Sequence, residues 1–267
     1  MMKMSSLSLN SLTLLPFHKL DLTFPSHTFT MITGANRSGK TQLIKALSTI
    51  VPTNEAILFN KAYIESIPVC EIYKKIHVFL GEEKWPFIFK TVEEEIRFPL
   101  ENLKYSSSEI KKKTKQVIAM FGLSKVLQLN PNTVSKYMKT KILLAVLLVS
   151  EPEILLLDDP LKGLMRSEKK EILQILHYYH QQGMSIIMTT SSLEETIMID
   201  ISKLIVLYQG QVLKEGKVLT VLQDDSLLNK IGLKLPFMVD LSVKLKYYNL
   251  LDDIILDPES LVDVLWK

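Results

Sequence analysis

Residues 34–41 read Gly-Ala-Asn-Arg-Ser-Gly-Lys-Thr and match the phosphate-binding pattern G-x-x-x-x-G-K-[ST] at every fixed position. Glycines let such a loop turn tightly, and its successive backbone N–H groups form an anion-binding nest at the start of a helix. In this pattern the lysine reaches the β- and γ-phosphates, and the final hydroxyl holds Mg²⁺. The sequence therefore predicts ATP and Mg²⁺ as ligands. The predicted nucleotide-binding residues are Gly34, Ala35, Asn36, Arg37, Ser38, Gly39, Lys40 and Thr41.

An acid at the end of an apolar segment suggests the partner of Thr41. Residues 154–157 are four apolar residues in a row, which is typical of a strand buried in a parallel sheet, and Asp158 follows them. In P-loop proteins a carboxylate at this place helps to hold the metal ion. Many strands end in Asp, but this one lies downstream of residues 34–41. We therefore predict that Asp158 and Thr41 share a magnesium site.

The surrounding sequence predicts the elements that position these residues. Alternating apolar positions over residues 7–33 indicate strands that lead into Gly34, and the apolar spacing of residues 41–50 is helical. The other predicted strands are 56–80 in short pieces, 153–157, 185–188 and a hairpin over 203–213. The other predicted helices are 91–127, 135–150, 167–182, 193–199 and several short ones from about residue 218. This order indicates an α/β fold.

Composition excludes some classes of function. The formal net charge of +3 is weakly basic, and there is no concentrated basic stripe with interleaved aromatic residues, so nucleic acid is not an expected partner. The longest apolar run, residues 142–149, is far shorter than the roughly 20 residues of a membrane-spanning helix. The single cysteine, Cys70, excludes an internal disulfide and is expected to be a buried structural thiol.

These motifs resemble those of the ATP-binding cassette (ABC) ATPases, and more narrowly the ATP-binding subunits of energy-coupling factor (ECF) transporters. Residues 91–103 are similar to the segment after the Q-loop in that subfamily, and residues 232–266 look like its C-terminal extension. The resemblance implies a RecA-like core with an antiparallel β subdomain and a helical subdomain. It divides the chain into a cassette over 3–217, with the helical subdomain at about 91–150, and a helical extension over 218–267.

The chain departs from this family at five further motifs. At the signature loop it reads Ser135, Lys136, Tyr137 and Met138, without either glycine. Asp159 replaces the catalytic glutamate and is one methylene shorter, and Ser191, or Thr190 if shifted by one, stands where the switch histidine is expected. Leu80 replaces the Q-loop glutamine, and Met165 replaces the D-loop aspartate. In the first loop, Phe17 is the candidate for adenine stacking, and packing into the core is the alternative.

Three functions are compatible with these motifs. Because losing several catalytic groups together lowers the rate strongly, we favour a nucleotide-binding subunit with weak or absent hydrolysis at its own site. The resemblance implies that it pairs head to tail with a competent ATPase subunit. It also implies docking through the Q-loop and residues 85–105 on a membrane scaffold at the cytoplasmic face of the membrane. The alternatives are a fully active transport ATPase and a soluble cassette without a transporter.

Overall fold

The computed structural model describes residues 5–81 and 86–266, so residues 3 and 4 of the predicted cassette, residue 85 of the predicted docking region and residue 267 lie outside it. The strands, in chain order, are β1 Leu7–Leu12, β2 Leu20–Phe24, β3 Phe29–Gly34, β4 Ile57–Phe59, β5 Ala62–Tyr63, β6 Ile76–Phe79, β7 Ile154–Leu157, β8 Ser185–Thr189, β9 Lys203–Tyr208 and β10 Gln211–Gly216. The helices are α1 Lys40–Leu47, α2 Val69–Lys75, α3 Val92–Asn102, α4 Ser107–Met120, α5 Lys136–Leu148, α6 Arg166–Gln181, α7 Val218–Leu222, α8 Asp225–Lys230, α9 Phe237–Tyr247 and α10 Pro258–Leu265. Short 3₁₀ helices lie at Ile64–Ser66, Pro131–Thr133 and Leu193–Ile197.

The larger sheet has six strands in the order β10-β9-β3-β8-β7-β6. All neighbouring pairs are parallel except β10 with β9. Every residue of β3, β7 and β8 is buried, because helices or the second sheet cover both faces. The carboxyl ends of β3, β7 and β8 therefore meet at one edge of the sheet, where α/β proteins bind their ligands. The predicted α/β fold is confirmed.

The smaller sheet is antiparallel, in the order β2-β1-β4-β5. Its inward residues, including Leu7, Leu9 and Leu22, share one apolar cluster with Leu43 and Ile44 of α1. This cluster fixes α1 between the two sheets, so that the amino end of α1 points to the edge at which β3 ends.

Helices α3, α4 and α5 form a layer against the other face of the large sheet, in the main apolar cluster. Thr91 and Ser106 begin α3 and α4 with capping boxes, in which each hydroxyl accepts from the N–H of the glutamate three residues on, Glu94 or Glu109. This layer carries the position expected for the signature loop at the amino end of α5.

Three sequence predictions were wrong in detail. Residues 56–80, predicted as strands, contain the helix α2, in which only Ile72 is buried. The helix predicted at 193–199 is a short 3₁₀ helix. Cys70 is exposed rather than buried, because it lies on α2 away from the side that Ile72 anchors. No helix among the described residues is long and apolar enough to span a membrane.

Candidate nucleotide-binding site

The phosphate-binding pattern lies at the carboxyl end of the central strand. β3 ends at Gly34 and α1 begins at Lys40, so residues 35–39 form the loop between them. β3 pairs with β8 on one side and β9 on the other, and all six of its residues are buried. The loop therefore starts from a fixed strand and delivers its N–H groups to the amino end of a helix, which favours an anion.

The two glycines of the pattern are required by close contacts. A Cβ at Gly34 would overlap the backbone oxygen of Leu207 and lie 2.7 Å from Oγ of Ser38. Gly39 has φ 108°, in the left-handed region, and a Cβ there would lie 2.8 Å from Cε1 of Phe17. The loop conformation therefore depends on the absence of side chains at both positions.

The Lys40 ammonium folds over this loop. Its Nζ donates to the carbonyl oxygen of Gly34 at 2.6 Å and to that of Ala35 at 3.1 Å. Burial lowers the pKa of Lys40, while the nearby carboxylates of Asp159 and Asp158 act in the opposite direction. A partly desolvated cation held at the loop is a suitable partner for phosphate oxygens.

Thr41 and Asp158, which were predicted to share a magnesium site, lie in contact. The Thr41 hydroxyl donates to Oδ1 of Asp158 at 3.1 Å, although the two residues are 117 positions apart. The same oxygen accepts from the hydroxyl of Thr189 at 2.9 Å. A hydroxyl and a carboxylate oxygen in contact are ligands that Mg²⁺ prefers, and Mg²⁺ completes its shell with water and substrate oxygens. Among the described residues, no group of three or more His, Cys, Asp or Glu side chains is arranged to hold a metal ion. The Thr41 hydroxyl and the Asp158 carboxylate fit a magnesium ion that takes its other ligands from water and nucleotide oxygens.

The two carboxylates after β7 are held differently. The backbone N–H of Asp159 donates to Thr189 Oγ1 at 2.9 Å, so Thr189 fixes the backbone at Asp159 and the side chain of Asp158 together. Asp159 has φ 48°, which is uncommon for a residue with a Cβ. Its Oδ2 accepts from the Ser191 hydroxyl at 2.6 Å. The candidate for water activation is therefore engaged by the residue at the predicted switch position.

A buried ion pair fixes the segment that carries Ser191. Glu195 is 2% exposed and contacts Nζ of Lys169 on α6 at 2.7 Å. Its other oxygen accepts from the hydroxyl of Thr190 at 2.6 Å, and that hydroxyl accepts from the N–H of Ser192 at 3.0 Å. The segment 190–192 is thus tied to α6 and not only to β8.

One cavity of about 530 Å³ unites these groups. It is lined by residues from the loop and α1, by both carboxylates and Ser191, and by the predicted Q-loop position Leu80, whose alkyl side chain offers no amide to a metal or water. Two lysines, Lys136 and Lys162, line it as well. The complete lining is Leu15, Pro16, Asn36, Arg37, Ser38, Gly39, Lys40, Thr41, Gln42, Leu80, Gly81, Lys136, Asp158, Asp159, Lys162 and Ser191.

Phe17 does not have the position required for adenine stacking. Its side chain is 1% exposed and packs in the core cluster around α1, with the edge of its ring against Gly39. Neither ring face is open to a ligand, so the alternative of core packing is correct. Leu15, two residues earlier, is 76% exposed and lines the cavity.

The signature position lies at the amino end of α5. The Ser135 hydroxyl caps the helix by accepting from the N–H of Met138 at 3.3 Å. Lys136 is exposed, whereas the Tyr137 hydroxyl donates to Glu171 of α6. Burial, and then Glu171, raise the pKa of Tyr137. Met165, at the predicted D-loop position, is 68% exposed and precedes α6. The side chains of Lys136 and Tyr137 occupy space that the two glycines of the family's signature loop would leave open.

Sequence reasoning missed two kinds of residue at this site. Thr189 ends β8, and the rule that parallel strands end at one edge would have found it, since Asp158 ends the adjacent strand β7. Lys162 was not singled out, and Lys136 was predicted at the signature position but not as a lining residue of this cavity, because no sequence pattern places α5 beside the segment after β7.

Comparisons with known proteins agree with this geometry. A family model described as ABC transporter matches residues 17–162. The energy-coupling factor transporter ATP-binding protein EcfA1 of Halalkalibacterium halodurans is 25% identical over 252 residues, covering 93% of this chain and 90% of that protein. The structure of CbiO1 from Clostridium perfringens, part of the ABC transporter complex CbiONQ, superposes with a TM-score of 0.74 at 22% identity, covering 86% of this chain and 95% of that one.

A dimeric ATP-binding cassette in a post-hydrolysis state, bound to ADP and Pi, has a TM-score of 0.69 at 21% identity and covers 79% of this chain and 98% of that one. At these identities the solved structures establish the fold, and the family model spans more than half of the 267 residues. The chain is also similar to ATP-binding subunits of ECF transporters. The phosphate-binding loop and the Thr41–Asp158 pair agree with the family model that matches residues 17–162. The chain therefore belongs to the ABC transporter family.

Proposed function

We propose that this chain is the nucleotide-binding subunit of an ECF-type membrane transporter, that it binds Mg-ATP and that it hydrolyses ATP weakly or not at all at its own site. The observation that carries the proposal is the contact between Thr41 and Asp158 beside the loop 34–41, since it brings the predicted phosphate and metal groups into one cavity. The similarity to EcfA1 of H. halodurans, an ATP-binding protein of such a transporter, supports the choice of system.

The chain's own residues divide the binding task. Backbone N–H groups of residues 35–39 and the amino end of α1 would receive the phosphates, and the Lys40 ammonium, which donates to the carbonyl oxygens of Gly34 and Ala35, would donate to phosphate oxygens. Thr41 and Asp158 would hold the magnesium ion, which would neutralise phosphate charge. Thr189 keeps the Asp158 carboxylate in place.

Weak hydrolysis follows from the groups beside the phosphate site. Because Asp158 is assigned to the metal, Asp159 is the candidate base, and Ser191 donates to its Oδ2 at 2.6 Å. A hydroxyl at position 191 does not supply the imidazole of the family's switch position, and Leu80 cannot orient water. Each properly placed acid–base group contributes about 100- to 10,000-fold to a rate. We therefore infer retained nucleotide binding with strongly reduced hydrolysis.

A partner subunit completes the proposal. The side chains of Lys136 and Tyr137 alter the loop that a cassette offers to its neighbour, so two copies of this chain would form two impaired sites. We therefore favour a head-to-tail heterodimer with a competent ATPase, bound to a membrane scaffold protein on the cytoplasmic side. CbiO1 is part of an ABC transporter complex, and the other solved cassette is dimeric, so proteins of the same fold do form assemblies, which supports the proposal of partner subunits.

The same proposal assigns residues 3–217 to the cassette, with the helical layer at about 91–150, and residues 218–267 to an extension. The described part of the extension is helical, and Met238, Leu251 and Leu261 form a separate small apolar cluster in it. However, Val221 and Leu228 of α7 and α8 pack in the main core cluster. The extension is therefore expected to be docked on the cassette rather than to fold alone.

The proposal is tested by expressing the chain with its genomic neighbours and isolating it from detergent-solubilised membranes. We expect it to co-purify with a second cassette and an integral membrane protein, and to bind MgATP. Lys40→Ala is expected to abolish nucleotide binding, whereas Lys45→Ala, a lysine of α1 outside the cavity lining, serves as the control. Isolation with nucleic acid instead of membrane proteins would contradict the proposal, and so would full transport by Lys40→Ala.

A further inference from the structure

The turn between β1 and β2 forms one wall of the cavity at the phosphate-binding loop. The N–H of Phe17 donates to the carbonyl oxygen of Leu14 at 2.7 Å, which closes a turn over residues 14–17. Leu15 and Pro16 lie at the tip of this turn, and both line the cavity. The turn therefore buries the ring of Phe17 and presents the highly exposed side chain of Leu15 to a ligand.

Close contacts hold this turn against the phosphate-binding loop. A Cβ at Gly39 would lie 3.0 Å from Cγ of Pro16. On the other side of the turn, a Cβ at Gly210, between β9 and β10, would overlap the carbonyl oxygen of Pro16. The N–H of Gly210 donates in turn to the carbonyl oxygen of Ser38 in the loop, at 3.1 Å. Backbone packing on two sides therefore sets the position of Leu15 beside the loop.

The strand order separates the two ends of the cavity. β9 lies on one side of β3, and β8, β7 and β6 follow on the other side. Asp158 directly follows β7, whereas the turn 14–17 packs on Gly210 at the end of β9. A magnesium ion in a site of this kind bridges the terminal phosphates, so those phosphates are expected on the side of Asp158. The nucleoside would then extend towards the β9 side, where Leu15 lies.

An aliphatic contact recognises the face of a base and not its edge. Adenine and guanine differ in the donors and acceptors along their edges. Strong selection between them needs a buried polar group that the wrong base leaves unpaired. The polar side chains of the loop, Asn36 and Arg37, are exposed to water, and none of the described lining residues is aromatic. Leu15 is therefore suited to add affinity for either purine with little selectivity.

We propose that Leu15 is the nucleobase contact of this site and that the chain binds purine nucleoside triphosphates without a strong preference for adenine. This inference rests on the proposed function and deepens it, because it widens the class of substrate beyond ATP. The aromatic residue that the family resemblance implies for adenine stacking is replaced by a turn whose own ring, that of Phe17, supports the phosphate-binding loop. Selection of the nucleotide then depends on the phosphates and the magnesium ion.

The test measures the affinities of the purified chain for MgATP and MgGTP by calorimetry. The wild type is expected to bind the two nucleotides within about threefold of each other. Leu15→Ala is expected to weaken the binding of both about fivefold, because the removed carbons no longer shield the face of the base from water. Leu15→Trp supplies a ring face for stacking and is expected to strengthen the binding of both about fivefold.

The matched control is Leu250→Ala, since Leu250 is also an exposed leucine outside the helices and does not line the cavity. It is expected to leave both affinities unchanged. Thermal unfolding verifies that each variant is folded.

The possible results separate this inference from the proposed function. A wild-type chain that binds neither nucleotide contradicts the proposed function and, with it, this inference. A wild-type chain that binds MgATP more than about tenfold more tightly than MgGTP overturns only the inference, because a polar group such as Gln42 then reads the edge of the base. Unchanged affinities in both Leu15 variants also overturn only the inference, because the base then lies elsewhere. Equal changes for both nucleotides in the two Leu15 variants, with an unchanged control, support it.

Discussion

Replacing Thr189 by valine removes one hydroxyl and keeps the shape of the side chain. Thr189 is fully buried at the end of β8, where its hydroxyl donates to Asp158 Oδ1 at 2.9 Å and accepts from the N–H of Asp159 at 2.9 Å. The variant leaves that N–H without its partner and takes one of two hydroxyl donors from the Asp158 carboxylate. Thr41 remains as the other donor.

The magnitude follows from these two contacts. A buried N–H left unpaired costs about 1–3 kcal/mol, and a hydrogen bond to an ionised group contributes about 1.5–3 kcal/mol. The two contacts share one hydroxyl and are coupled, so we expect a loss of about 2–4 kcal/mol in the free energy of unfolding. Magnesium-dependent ATP binding should also weaken, because Asp158 is less firmly oriented.

The matched control is Thr30→Val in the adjacent strand β3. Thr30 is equally buried, but its Oγ1 has no hydrogen-bond partner among the described residues. Removing an unpaired buried hydroxyl is expected to leave the protein unchanged or to stabilise it by about 1 kcal/mol. Urea unfolding of both variants measures the difference. Unfolding free energies within about 0.5 kcal/mol of each other would refute the role assigned to Thr189.

Three further predictions concern backbone, charge and an ion pair. Gly39→Ala should abolish nucleotide binding and lower the stability of the fold by more than Gly232→Ala does. Both glycines have a positive φ, but only at Gly39 would the added methyl group clash, with the ring of Phe17. Calorimetry measures the binding, and thermal unfolding measures the stability. Burial raises the pKa of Glu95, so protonation of Glu95 stabilises the fold fully below about pH 4.5, and this contribution is lost as the pH rises through the folded-state pKa. Glu95→Gln does not titrate, so its stability should rise relative to that of the wild type between about pH 4.5 and 7.5, as measured by urea unfolding. A stability difference that stays constant over this range would contradict the prediction. Glu195→Ala should lower the free energy of unfolding by about 3 kcal/mol, because it leaves Lys169 without its carboxylate partner. The double variant Lys169→Ala/Glu195→Ala should lose less stability than the two single variants together. Additive losses would contradict a direct coupling of the two side chains.

The core of the site was predictable because its signals are local or follow a simple topological rule. Residues 34–41 form a contiguous motif after a buried strand, and the acid at position 158 ends another strand of the same parallel sheet. Strand direction alone brings these groups to one edge. Their contact in the structure needed no information beyond the motif and the apolar pattern.

Other features depended on packing that no pattern reveals. Phe17 lies in a loop from which its ring could turn towards the ligand or the core, and the contact with Gly39 decides for the core. Helix α2 was missed because only Ile72 is buried, which leaves too short an apolar period to recognise. The same weak burial leaves Cys70 exposed. Lys136 reaches the cavity only through the docking of the helical layer on the sheet.

We propose that this chain retains phosphate binding and has lost most of its capacity to activate water. A single-turnover experiment tests it directly: the purified chain, in excess over radiolabelled MgATP, is followed for bound nucleotide and released phosphate in one sample. A relative with glutamate and histidine at the positions of Asp159 and Ser191 is measured beside it. We expect that nearly all ATP is bound and that phosphate release is at least about 100-fold slower than in the relative. Phosphate release at the relative's rate, or no bound ATP, would contradict it.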